Sequence, residues 1–203
     1  RFGPRFAENA ARFHGARTHF TFHHGMGHVP TDVAPDVRSR NYTIEAHVEI
    51  EPGAEGVLIA HGDATSGYSL YVKNGRLVHD LNIGGQHQIV TSDRKVPSGA
   101  CRLGLRVTRL VRTEPPARGA RTGISDYTLL IDGEPAGSLQ TQIGFNNFIS
   151  WSGLDIGRDR GSPVSHYAAP FEFTGNLLRV HVTMHKDQQL DGDGIGQAEM
   201  ARQ

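Results

Sequence analysis

Between Tyr42 and Ile50, Tyr42, Ile44, Ala46, Val48 and Ile50 alternate with Thr43, Glu45, His47 and Glu49, the two-residue period of a strand with one face in a core. Pro52-Gly53 ends that run, and Gly56-Val-Leu-Ile-Ala60 begins the next. After a turn over Asp63–Gly67, Tyr68–Lys73 and Arg76–Leu81 flank Asn74-Gly75, a strong hairpin signal. Gln88–Thr91 predicts a further short strand, and Cys101, Leu103, Leu105, Val107 and Arg109 a long alternating one. Tyr127–Ile131, Asp132-Gly133 and Ala136–Leu139 repeat the hairpin pattern. Gly153–Gly157 is brief, and the final strand is expected to turn Leu178, Val180, Val182 and Met184 inward. About ten short strands in one chain, joined mostly by tight turns and with no long amphipathic helix, predict an all-β fold, an antiparallel β-sandwich.

Either side of this block the pattern lapses. Residues 1–40 mix Arg and His with Phe2, Phe6, Phe13, Phe20 and Phe22. Phe6, Ala10 and Phe13 share a helical face, and Thr18–Phe22 alternates like a short strand. This irregular N-terminal segment buries too little to fold alone, so 1–40 reads as a wrap or linker left from something upstream. Residues 41–185 form the sandwich domain. Residues 186–203 are polar and Gly-punctuated, a tail with a helical pattern from Ile195 onward.

Charge narrows the classes of partner. The 203 residues carry 21 Lys+Arg against 21 Asp+Glu, without the basic excess that phosphate binding requires, so no nucleic acid is expected. No apolar run nears the roughly 18 residues of a membrane span, and no membrane partner is expected. The one cysteine, Cys101, can make no internal disulfide and reads as a buried strand thiol. A free thiol fits a reducing cytoplasm without demanding it.

The order of signals from Tyr42 to Val180, with Leu130-Ile-Asp-Gly-Glu-Pro-Ala-Gly137 before Phe173-Thr-Gly-Asn-Leu-Leu-Arg-Val180, resembles a laminin-G-like, concanavalin-like jelly roll. A narrower likeness runs through Gly15-Ala-Arg-Thr-His-Phe-Thr-Phe22, Gly25-Met26, Ala34–Ile44, Ala54–Ala60, Gly67–Leu77, Leu154–Ser165 and Ala169–Gly175. Seven stretches in this order resemble the C-terminal region of large bacterial arylsulfatases. That resemblance implies a non-catalytic accessory domain of a sulfuric ester hydrolase. Its partners would be the upstream catalytic domain or an oligomer mate, in a bacterial cytoplasm or periplasm. The family's calcium and formylglycine would belong to the parent's catalytic domain. Cys101-Arg-Leu-Gly-Leu-Arg106 does not fit Cys/Ser-x-Pro-x-Arg, nor does any serine, so this chain is expected to be inactive alone and to hold no cofactor. The alternative is an independent carbohydrate-binding module.

Candidate sites are few. The family's Tyr-Tyr-Pro-Gly-like stretch is replaced by His23 and His24 before Gly25, so the resemblance implies that His23, His24 and Met26 help line the parent's substrate access. Among His19, His23, His24 and His28, Gly25 and Gly27 break any helical ligand pair, which argues against zinc. Asp187, Asp191 and Asp193 fail as an EF-hand, because Gln189 and Met200 fall at the first and last ligand positions. Asp155 and Asp159 are weak calcium candidates, with Ser162 and Ser165 nearby; Arg158 and Arg160 favour ion pairs instead. Trp151, Tyr68, Tyr71 and Tyr167 could stack on sugar, although a core or interdomain role is the favoured reading. No serine lies in a Gly-x-Ser-x-Gly elbow, so no hydrolytic triad is credited.

Overall fold

Alternation along a strand becomes two faces only when neighbouring strands hold a common register, and eleven strands do so here. The computed structural model describes residues 17–38, 40–110, 124–142 and 149–185. The helical patterns at Phe6–Phe13 and from Ile195, and the tail 186–203, lie outside the described residues. The strands are β1 (His19–Phe22), β2 (Tyr42–Ile50), β3 (Gly56–Gly62), β4 (Ser66–Lys73), β5 (Arg76–Ile83), β6 (Gln86–Thr91), β7 (Gly99–Leu110), β8 (Ile124–Ile131), β9 (Glu134–Thr141), β10 (Leu154–Ile156) and β11 (Asn176–Met184). They form a six-stranded sheet, β1-β11-β2-β7-β8-β9, and a five-stranded sheet, β10-β3-β4-β5-β6. Every neighbouring pair is antiparallel. The fold is the all-β jelly-roll sandwich that the alternation predicts.

Inward rows from both sheets make one core. Phe20, Val182, Ile44, Leu105 and Leu129 lie side by side across the larger sheet, and Ile59, Leu70, His79 and Val90 across the smaller. All nine are buried. The two predicted hairpins close as expected: Asn74 and Gly75 have φ of 53° and 69°, Asp132 and Gly133 of 54° and 87°. Positive φ at both central residues gives the turn twist that matches the strands it joins.

The strand expected over Thr18–Phe22 forms, and one reading, at the last strand, changes. The segment before residue 41 supplies β1, which pairs with β11 and puts Phe20 and Phe22 into the core. The last strand has a bulge between Leu177 and Arg179, so Leu177 is buried and Leu178 stands exposed. A bulge adds one residue and reverses the side-chain alternation beyond it, which a uniform two-residue period misses.

Candidate functional site

The outer side of the six-stranded sheet is a polar grid. One cross-strand row runs Thr183, Thr43, Arg106, Thr128 and Ser138; the next runs Thr21, His181, Glu45, Gly104 and Leu130. A third holds Arg179, His47 and Arg102. Gly104, itself buried, therefore puts no side chain in the centre, between Arg102 and Arg106 along β7 and between Glu45 and Leu130 across the sheet. A Cβ there would sit 2.8 Å from the Ile44 carbonyl oxygen, so only glycine lets β2 and β7 pair this closely. The floor is apolar, because the Leu130 side chain borders Gly104.

The charges on this face divide into engaged and unengaged groups. His47 Nε2–H donates to Glu45 Oε1 at 2.9 Å, which leaves Nδ1 to accept from Arg179 Nη2 at 3.4 Å. Arg102 Nη1 lies 3.7 Å from Glu45 Oε2. The His181 ring meets His47 edge-on at 5.3 Å, with its Nδ1 3.0 Å from Thr21 Oγ1. Burial first, then the His47 and Arg179 charges, lower the His181 pKa. Arg106 is exposed and makes no hydrogen bond or ion pair among the described residues; its cross-strand neighbours are the Thr43 and Thr128 hydroxyls. The Thr43 hydroxyl already meets His185 Nε2 at 2.8 Å, and the buried Thr128 hydroxyl donates to Asp126 Oδ2 at 2.6 Å. The planar, exposed Arg106 guanidinium can take a carboxylate in a two-pronged hydrogen bond.

The other sheet's outer face is roofed by residues 157–171. Val164, Tyr167 and Phe171 pack on Val57, Ala60, Tyr71 and Val78. Asp80, fully buried, accepts from His87 Nδ1 at 2.7 Å and from the Ser165 hydroxyl at 2.6 Å, both at Oδ2. Asp159 accepts from the Val164 N–H and the Tyr167 hydroxyl, and burial raises its pKa.

The connection from β1 crosses to the free edge of β10. His23, His24 and Met26 are exposed on it, with the His24 ring against Gly157. Val29 bridges Leu154 and places His28 Nδ1 3.2 Å from Asp155 Oδ1. Arg160 holds the same carboxylate through Nε at 3.0 Å and its backbone N–H at 2.9 Å. Burial works to raise the Asp155 pKa, but these donors outweigh it and the net shift is downward. Arg158 instead lies near Glu172, at 3.8 Å. Asp155 and Asp159 share no hydrogen-bond partner. Among the described residues, no three His, Cys, Asp or Glu side chains gather as a metal site. Of the four sugar-stacking candidates, Tyr68, Tyr71 and Tyr167 are buried and Trp151 is 63% exposed. Cys101 is buried, and burial first, then the Asp132 charge, pushes its thiol up to about 11.

No protein-family model matches the chain, and no curated protein matches it in sequence. Solved structures do. The CBM40 of Ruminococcus gnavus IT-sialidase bound to α2,6-sialyllactose has a TM-score of 0.53 at 16% identity, covering 86% of this chain and 95% of that one. The two share a β-sandwich fold. The same module bound to α2,3-sialyllactose gives a TM-score of 0.52 at 18% identity, covering 86% of this chain and 95% of that one. The leech intramolecular trans-sialidase, in complex with 2,7-anhydro-Neu5Ac, gives 0.52 at 13% identity, covering 90% of this chain and 27% of that one. Sequence reasoning missed the Arg106–Gly104 face. Its signal was the polar half of two alternations already noted, Thr43-x-Glu45-x-His47 and Arg102-x-Gly104-x-Arg106.

Proposed function

We propose that the chain is a carbohydrate-binding module whose six-stranded outer face holds an acidic glycan. The Arg106 guanidinium, exposed and without a side-chain partner among the described residues, carries this reading. Arg106 pairs with the ligand carboxylate, and Leu130 meets its C–H surface. The R. gnavus modules, solved with sialyllactose, support the choice of an acidic sugar, because sialic acid carries a carboxylate. Titration with 3′-sialyllactose is expected to show saturable binding that weakens with salt. Arg106→Ala should lose about tenfold or more, and lactose, without the carboxylate, should bind comparably less well. Equal binding of both sugars, untouched by Arg106→Ala, would defeat the proposal.

The accessory-domain reading is the second. It rests on the seven ordered stretches that resemble the arylsulfatase C-terminal region, with His23, His24 and Met26 facing a catalytic domain and with calcium and formylglycine held there. Coding sequence upstream of Arg1 that contains Cys/Ser-x-Pro-x-Arg would support it; a different upstream partner would remove it.

A further inference from the structure

Trp151 is the chain's one tryptophan and stands 63% exposed, yet the turn that carries it is held by several hydrogen bonds. The hydroxyls of Ser150 and Ser152 on either side both donate to Asp63 Oδ2, the latter at 2.6 Å. The Ser150 N–H reaches the Ser66 carbonyl at 3.1 Å, and Thr31 Oγ1 donates to the Ser150 carbonyl at 3.1 Å. The Gly153 N–H and carbonyl are tied to Thr31 Oγ1 and the Gly62 N–H. Asp63 Oδ1 is occupied by the Thr65 backbone and hydroxyl. Burial pulls the Asp63 pKa upward, but these hydroxyls and the N–H hold it below the usual carboxylate range. An ionised Asp63 fixes both serine protons inward, so the exposed Ser152 oxygen presents lone pairs to any incoming hydroxyl.

The geometry points to Trp151 as a stacking platform for a neutral pyranose ring, a second sugar contact separate from the six-stranded face. The indole belongs to the connection into β10, at the edge of the other sheet. A turn whose backbone is held by hydrogen bonds loses little freedom on binding, which favours a platform over a mobile tip. Around it the turn offers serine hydroxyls and a carboxylate, groups that suit the hydroxyl rim of a sugar. A β-glucopyranosyl ring matches this setting: its substituents are all equatorial, so its faces are axial C–H and its rim is hydroxyl. This inference does not depend on Arg106 or on an acidic ligand.

Because the emission of Trp151 reports this site directly, cellotetraose is the probe, added to the whole chain while acrylamide quenches the indole. Saturable protection from quenching is expected at millimolar sugar. By calorimetry, Trp151→Phe should retain binding and Trp151→Ala should weaken it about tenfold or more. Arg106→Ala should leave the titration unchanged, so this site and the acidic-glycan face can fail separately. An indole still fully quenched at saturating cellotetraose, or Trp151→Ala binding as the parent does, overturns it.

Discussion

The two sheets share one core, yet their outer sides have opposite fates. On the five-stranded sheet, residues 157–171 bury Asp80 and Asp159 beneath aromatic rings. On the six-stranded sheet, Arg102, Arg106, Arg179, Glu45 and His47 stand in a grid that no described segment covers. In the first case buried groups bond one another and hold the fold together, as Asp80 Oδ2 does with His87 and Ser165, while Asp80 Oδ1 has no hydrogen-bond partner among the described residues. In the second the charges are partly engaged with one another and partly spare, which is the condition for binding something else. Burial converts a charge into a structural commitment; exposure leaves it usable.

The harshest way to sharpen this contrast is to weaken the common core and leave both outer sides intact. His61 and His79 are buried and neutral, and burial lowers each ring to about 4 from its ordinary 6.5. The unfolded chain therefore takes up protons first as pH falls. Stability is full above about pH 6.5 and drops through the window down to 4, by about 3 kcal/mol for each ring. Urea unfolding midpoints at pH 7 and pH 4 measure this, and a His79→Phe variant should lose one share of the dependence. A flat profile would mean that neither ring is neutral by burial.

Next in size is the roofed face. Asp80→Ala strips the buried acceptor from His87 and Ser165 and should cost about 3 kcal/mol in chemical denaturation. The smallest effect belongs to the open face, where Glu45→Gln should shift stability by no more than about 0.5 kcal/mol, although it removes the negative charge facing His47 and Arg102. If Glu45→Gln proved as damaging as Asp80→Ala, the distinction between structural and spare charge would collapse.

The sandwich was legible because its code is local: Tyr42 to Ile50 alternate, and Asn74-Gly75 and Asp132-Gly133 announce their turns. The open face was half legible. Alternation says that Glu45 and Arg102 point outward, but only the β2–β7 register sets Gly104 beside Glu45 and Arg106 beside Thr43. Register depends on pairs some 60 residues apart and leaves no mark in either strand alone. The roof was illegible for the same reason, since Ser165 and Asp80 meet across 85 residues. Trp151 misled through composition, because a large aromatic ring in a small domain usually fills the core. Its exposure follows from the Asp63 network, which joins side chains 87 and 89 residues apart in sequence.

The pairing of β1 with β11 has a mechanical corollary. The Met184 N–H bonds the Thr18 carbonyl, so the two described ends of the sandwich leave side by side from one corner. Tension applied through both ends would break the β1–β11 ladder rung by rung, as a zipper opens, instead of shearing the whole ladder at once. A tethered module built this way yields to load from its edge inward, surrendering Phe20 and Phe22 while the inner strands β2 and β7 stay paired.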